Sequence, residues 1–268
     1  YWYVSFVAGE AIQKFRVSDD ALVSEVIVGS GAWPTLSFSS DSKKLYASNI
    51  YSGQLLIIDA EKMNIIFNSG PDYLRAPHGA TIDRAGNFLF ITAQYGNNIY
   101  RFDMAQYELL EISLDGASPS PSPKLDPHEV LFSVDGSKIF VTCQRSNEVR
   151  VLKSSDFSLL SVIPTGNFPK EMSLSKDFPY LFVSCTEDTS SFIGKRGSVA
   201  VINYESLSLV TKIYTGHQPH GLAVDDSKHL VYVAHRNVKS DGPAPHHTTS
   251  CDGRSGYLTI IDMNTLSL

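Results

Sequence analysis

Apolar runs of four to six residues, broken by polar turns, follow one another along the whole chain. One set reads LSFS, ATID, EVLFS, EMSLS and GLAVD, and a second reads LYASN, LFITA, IFVTC, LFVSC and VYVAH. A third reads LLIIDA, NIYRFD, EVRVLK, VAVINY and LTIID, and a fourth includes SLLSVI and SLVTKIYTG. Between the first and second sets stand SDSKK, DRAGN, VDGSK, SKDFP and DDSKH, which is turn chemistry. The apolar positions alternate or run in fours and fives, and β-branched and aromatic types dominate. Turns arrive too often for helices of a dozen residues, so every element is predicted to be a strand.

The strands come in a fixed order behind a recurring proline. Trp33-Pro34-Thr35, Ala76-Pro77-His78, Asp126-Pro127-His128, Phe168-Pro169-Lys170 and Gln218-Pro219-His220 place it at intervals of 43, 50, 42 and 50 residues. Four short strands per period of this size are expected of a β-propeller blade, and the paired helices or leucine ladders of other repeat folds are absent. The chain divides into one propeller domain, 1–268. Its blades fall at about 1–33 (partial), 34–76, 77–126, 127–168, 169–218 and 219–268 (partial). Residues 1–33 read as the second, third and fourth strands of a blade, and the last period begins but does not finish its fourth. Since a propeller closes by completing a blade from both chain ends, seven blades are expected in the complete protein, with six the alternative.

The second strand of each period runs close to Tyr-Val-Thr-Asn, as in Tyr46-Ala47-Ser48-Asn49, Phe140-Val141-Thr142-Cys143 and Tyr232-Val233-Ala234-His235. With the Asp-Gly type of turn before it, this resembles the YVTN-repeat β-propeller family, which is similar to the propeller domain of nitrous oxide reductase. The resemblance implies an exported protein, periplasmic or at the cell surface, and is nearly silent on activity.

The 22 basic and 28 acidic side chains give a net charge of −6, without a Lys/Arg block. Nucleic acid is therefore not the expected partner. No apolar run reaches the roughly 18 residues of a membrane helix.

The loop entering a blade's first strand and the loop leaving its second lie on one rim. Here the long insertions fall: 115–126, 186–196 and 236–255. Functional residues favour long loops on a rigid scaffold, so this rim is the candidate binding face for a protein partner or small ligand. Behind the anchor prolines the column reads Thr35, His78, His128, Lys170 and His220, and His235 and Arg236 close the second strand of the sixth period. The insertion that follows adds His246, His247 and Cys251. Convergent imidazoles suit copper, zinc or iron, and His78, His128, His220, His246 and His247 form the candidate metal set. In the resemblance, the Pro-His segments at 77–79, 127–129 and 219–221 look like copper-ligand segments of nitrous oxide reductase. Thr35 and Lys170 stand where that pattern wants further histidines.

Three functions follow as expectations. The first is an exported binding or scaffold module within a larger assembly. The second is a copper-type metal-binding redox protein, and the third a lactonase-like hydrolase, for which inward carboxylates are few. Strict alternation turns Glu129 and Glu171 away from the channel if His128 and Lys170 face it, so no paired carboxylates are expected at the site. Cys143 and Cys185 occupy equivalent places on neighbouring blades, too far apart for a disulfide, and are expected to act as small buried hydrophobes.

Overall fold

The computed structural model describes residues 1–6, 9–115, 125–193, 196–236 and 256–268. It is an all-β propeller of antiparallel sheets, each blade following its predecessor in chain order. The first sheet holds β1 (Trp2–Val4), β2 (Ala11–Phe15) and β3 (Leu22–Ile27). The second holds β4 (Thr35–Phe38), β5 (Lys44–Asn49), β6 (Gln54–Asp59) and β7 (Asn64–Asn68). The third holds β8 (Pro77–Ile82), β9 (Phe88–Ala93), β10 (Asn98–Asp103) and β11 (Leu109–Ser113). The fourth holds β12 (Pro127–Phe132), β13 (Lys138–Cys143), β14 (Glu148–Lys153) and β15 (Leu159–Pro164). The fifth holds β16 (Pro169–Leu174), β17 (Tyr180–Cys185), β18 (Ser198–Asn203) and β19 (Ser208–Tyr214), and the sixth β20 (Pro219–Asp225), β21 (Leu230–His235) and β22 (Tyr257–Asp262). No helix among the described residues is long and apolar enough to cross a membrane.

In the four-stranded sheets the second and third strands are buried almost throughout, because both of their faces pack on neighbouring sheets. Each apolar core lies between two consecutive blades. Phe90, Ile99 and Ile112 of the third sheet, for example, meet Val130, Ile139 and Val141 of the fourth. Cys143 and Cys185 are fully buried free thiols, and burial raises both, Cys185 to about 11. The turn from third to fourth strand is set the same way in four blades. The Oδ1 atoms of Asp59, Asp103, Asn203 and Asp262 each accept two backbone N–H groups.

What positions the channel mouth is a bulge. In β8, β12, β16 and β20 the pairing slips by one residue just after the anchor proline. Pro127 pairs Cys143 but Val130 pairs Val141, so His128 and Glu129 together oppose Thr142. In β8, β12 and β16 the hydroxyl of the opposing residue stands in for the missing ladder bond; in β20 the opposing residue is Ala234. Thr92 accepts the Gly79 N–H at 2.8 Å, Thr142 the Glu129 N–H at 2.9 Å and Ser184 the Glu171 N–H at 3.2 Å. The same hydroxyls donate onward to the next blade: Thr92 to the His128 carbonyl, Thr142 to that of Lys170, Ser184 to that of His220. β4 has no bulge: Thr35 pairs Ser48 and Leu36 pairs Ala47 in unbroken register.

Candidate functional site

The bulges aim side chains from three consecutive inner strands at one point. Glu171 Oε1 lies 3.6 Å from His128 Nδ1 and 3.8 Å from His220 Nδ1. One donor atom from each of the three residues fits within a mutual span of 4.8 Å. His128 is fully buried, whereas Glu171 and His220 keep 26% and 20% of their side-chain surfaces open. The His78 ring lies against that of His128, with centroids 3.9 Å apart, and its Nδ1 is 3.2 Å from the His128 carbonyl oxygen. That contact places a proton on Nδ1 and fixes the ring behind His128.

The two glutamates depart from the expectation of strict alternation. One extra residue per bulged strand breaks the period of two, and Glu171 shares the site with His128 and His220 while Glu129 hydrogen-bonds to Glu171. The paired carboxylates not expected from the sequence are therefore present. Burial, then the negative charge of Glu171, pushes Glu129 well above the ordinary carboxylate range. Glu171 is raised by burial too, but the bond from Glu129 and the charge of Lys170 pull it back. Glu129 thus carries the shared proton and Glu171 presents the more anionic carboxylate.

The other candidate residues have separate occupations. Lys170 is buried, and its ammonium donates to Gln144 Oε1, whose Nε2 donates in turn to Asp126 at 2.7 Å. Burial lowers Lys170 to about 8; Arg236 lowers it too, while the negative charges of Asp126 and Glu171 oppose the shift. Arg236 is half-buried, and burial lowers it as well. Thr35 donates to the His78 carbonyl, so its hydroxyl is spent between blades. His235 stacks on Tyr257 with centroids 4.3 Å apart, and its ring nitrogens lie 3.2 Å from the His217 carbonyl and 2.9 Å from Thr259 Oγ1. Burial pushes it down to about 4. His246, His247 and Cys251 lie outside the described residues.

Counting from the proline to the turn would have located the bulges. Pro77 to Asp83, Pro127 to Ser133 and Pro169 to Ser175 span six residues, while Pro34 to Ser39 spans five.

No protein-family model matches the chain, and no curated protein matches it. Among solved structures it is similar to hydrazine synthase from Kuenenia stuttgartiensis, at 17% identity and a TM-score of 0.67. The match covers 86% of this chain and 63% of that one, so the chain spans less than two thirds of the structure it resembles. At this identity the likeness is one of fold: the chain is a β-propeller, an architecture that serves as a rigid platform for binding.

Proposed function

We propose that this propeller is a binding module that holds a divalent transition metal of the copper, zinc or iron kind at its channel mouth, through His128, Glu171 and His220. The observation that carries the proposal is the 4.8 Å span enclosing one donor atom of each residue. Metal bonds of about 2.1 Å in a tetrahedral shell put neighbouring donors about 3.4 Å apart. The 3.6 and 3.8 Å separations need only a small contraction to reach that. Two imidazoles and one carboxylate suit zinc, copper or iron, and three protein donors leave a position open for a further ligand. The hydrogen bond from Glu129 to Glu171 supplies the outer support that orients a ligating carboxylate. His78 takes the second layer, against His128. The same donor set argues against the lactonase-like reading, because calcium takes six to eight oxygens. Export and membership of a larger assembly belong to the proposal on the resemblance to YVTN-repeat proteins alone, and fractionation of cells expressing the full gene tests them.

The metal reading is tested on protein stripped with a chelator and titrated with Zn²⁺, Co²⁺ and Cu²⁺, uptake being measured by elemental analysis after desalting. One equivalent per chain is expected, with a Co²⁺ spectrum of low coordination number. Glu171→Gln and His220→Ala are expected to lose uptake while unfolding in urea near the wild-type midpoint. Failure of the wild type to retain any of the three ions, or full retention by both variants, removes the proposal.

A further inference from the structure

On the face opposite the histidines, between the third and fourth blades, lies a cavity of about 380 Å³. Phe88, Phe90, Phe132 and Phe157 line it together with Arg101. The Arg101 guanidinium sits over the Phe88 ring at 4.5 Å and near that of Phe157 at 5.7 Å. Phe132 meets Phe90 edge-on, with centroids 5.1 Å apart. A permanent cation is thus held in an aromatic box.

The repeat shows how unusual this is. Arg101 stands two residues before the end of β10. The same place holds Ile57 in β6, Val151 in β14 and Val201 in β18, all fully buried between blades. The first sheet carries a cation at the equivalent place in the pairing register, Lys14, which like Ile57, Val151 and Val201 stands just before the slip against the fourth strand, and shows how the fold accommodates one for structure alone. Its ammonium donates to the Ala60 carbonyl at 2.8 Å and reaches that of Glu61 at 3.5 Å, both on the neighbouring blade. Arg101 makes no such bond. Its Nε is buried with no acceptor, and among the described residues no carboxylate lies within ion-pair distance of it. Two aspartates border the cavity, but each is tied into its own turn. Asp83 accepts the N–H groups of Asn87 and Phe88, and Asp135 accepts from Ser133 and Ser137.

An arginine placed in a socket that other blades fill with aliphatic side chains costs stability unless something completes its hydrogen bonds. The stacked rings contribute part of the compensation and hold the planar fork still. A fixed guanidinium fork is the complement of a carboxylate. The four phenylalanines of the lining and the volume, within the usual range for small-molecule sites, call for a hydrophobic body attached to it. We propose that this pocket binds a small organic acid, a carboxylate carried on an aromatic or branched apolar group, with Arg101 as its anchor.

The probe is 4-fluorophenylacetate, followed by fluorine NMR against the full chain, with 4-fluorophenylacetamide as its uncharged counterpart. Saturable broadening is expected for the acid and none for the amide. Arg101→Leu restores the aliphatic character of Ile57, Val151 and Val201, so its urea midpoint is expected to equal or exceed that of the wild type. Its affinity for the acid should fall by about tenfold or more, the worth of a charged hydrogen-bonded pair. Arg101→Lys keeps the charge but not the fork and should also weaken binding. Absence of saturable binding to the wild type overturns the proposal. So does equal binding of acid and amide, or unchanged affinity in Arg101→Leu.

Discussion

The Thr142 hydroxyl donates to the Lys170 carbonyl of the next blade at 2.8 Å while accepting the Glu129 N–H of its own blade at 2.9 Å. One side-chain oxygen therefore completes a bulge and ties two blades together. Thr142→Val keeps the shape and removes both bonds, orphaning two buried backbone groups at about 1–3 kcal/mol each. A loss of about 2–4 kcal/mol in urea unfolding is expected. Thr142→Ser, which keeps the oxygen, should lose less than about 1 kcal/mol. Equal losses in the two variants would show that the methyl group matters and the hydroxyl does not.

The same hydroxyl column marks how far the sequence could be read. The Pro anchor, the turn residues and the four strands per period were legible because each rests on local chemistry that repeats. The convergence of His128 with His220 was not a matter of neighbouring sequence, since the inner strand β16 stands between theirs in the chain as in the ring. Glu171 was misread because the period of two holds only where the ladder is unbroken, and a single added residue reverses the facing. Blade two is the control. Lacking that residue, it has no bulge N–H to satisfy, and Ser48 Oγ is left buried without a partner while Thr35 makes the bond to His78. Arg101 was passed over because a single cation in a strand means little until its blade-by-blade equivalents are aligned.

Gly216 is a backbone requirement. Its φ is +130°, and a Cβ there would fall 1.8 Å from the Tyr257 hydroxyl, which accepts the His217 N–H at 2.8 Å. Gly216→Ala meets both the backbone strain, about 1–3 kcal/mol on its own, and the displacement of a ring stacked on His235. The expected outcome is a loss at the upper end of that range or beyond, with Tyr257 fluorescence shifted. A stability within 0.5 kcal/mol of wild type, the ordinary scatter of surface changes at about that size, would contradict it.

His235 makes the fold sensitive to mild acid. Burial lowers it from 6.5 to about 4 in the folded chain. Its contribution to stability is complete above pH 6.5, where both folded and unfolded chains hold it neutral. As pH falls below 6.5 the unfolded chain takes up the proton first, so stability declines until the folded residue also protonates near pH 4. The whole effect is on the order of 3 kcal/mol. His235→Gln removes this titration and retains a side chain able to bond Thr259. Between pH 7 and pH 4.5 the wild type should lose more stability than the variant, and parallel pH profiles would refute the assignment.

Glu129 has the opposite sign. Its folded value stands well above 4.5, raised by burial and by the charge of Glu171. Above pH 4.5 the unfolded chain releases a proton that the folded chain keeps, so the folded state binds more protons and stability falls as pH rises through that window. Glu171 is raised as well and adds to the same trend. Glu129→Gln has no proton to lose. Its amide oxygen can still accept the Val130 N–H, which Glu129 Oε1 takes at 3.1 Å, and its amide nitrogen can donate to Glu171 in place of the carboxyl proton. In metal-free buffer the variant should therefore gain on the wild type between pH 4 and pH 7, the gap widening as pH increases. Urea unfolding at the two pH values measures it. A gap that does not change with pH would mean that Glu129 ionises as an ordinary glutamate does, and that Glu171 does not receive its hydrogen bond from a protonated neighbour.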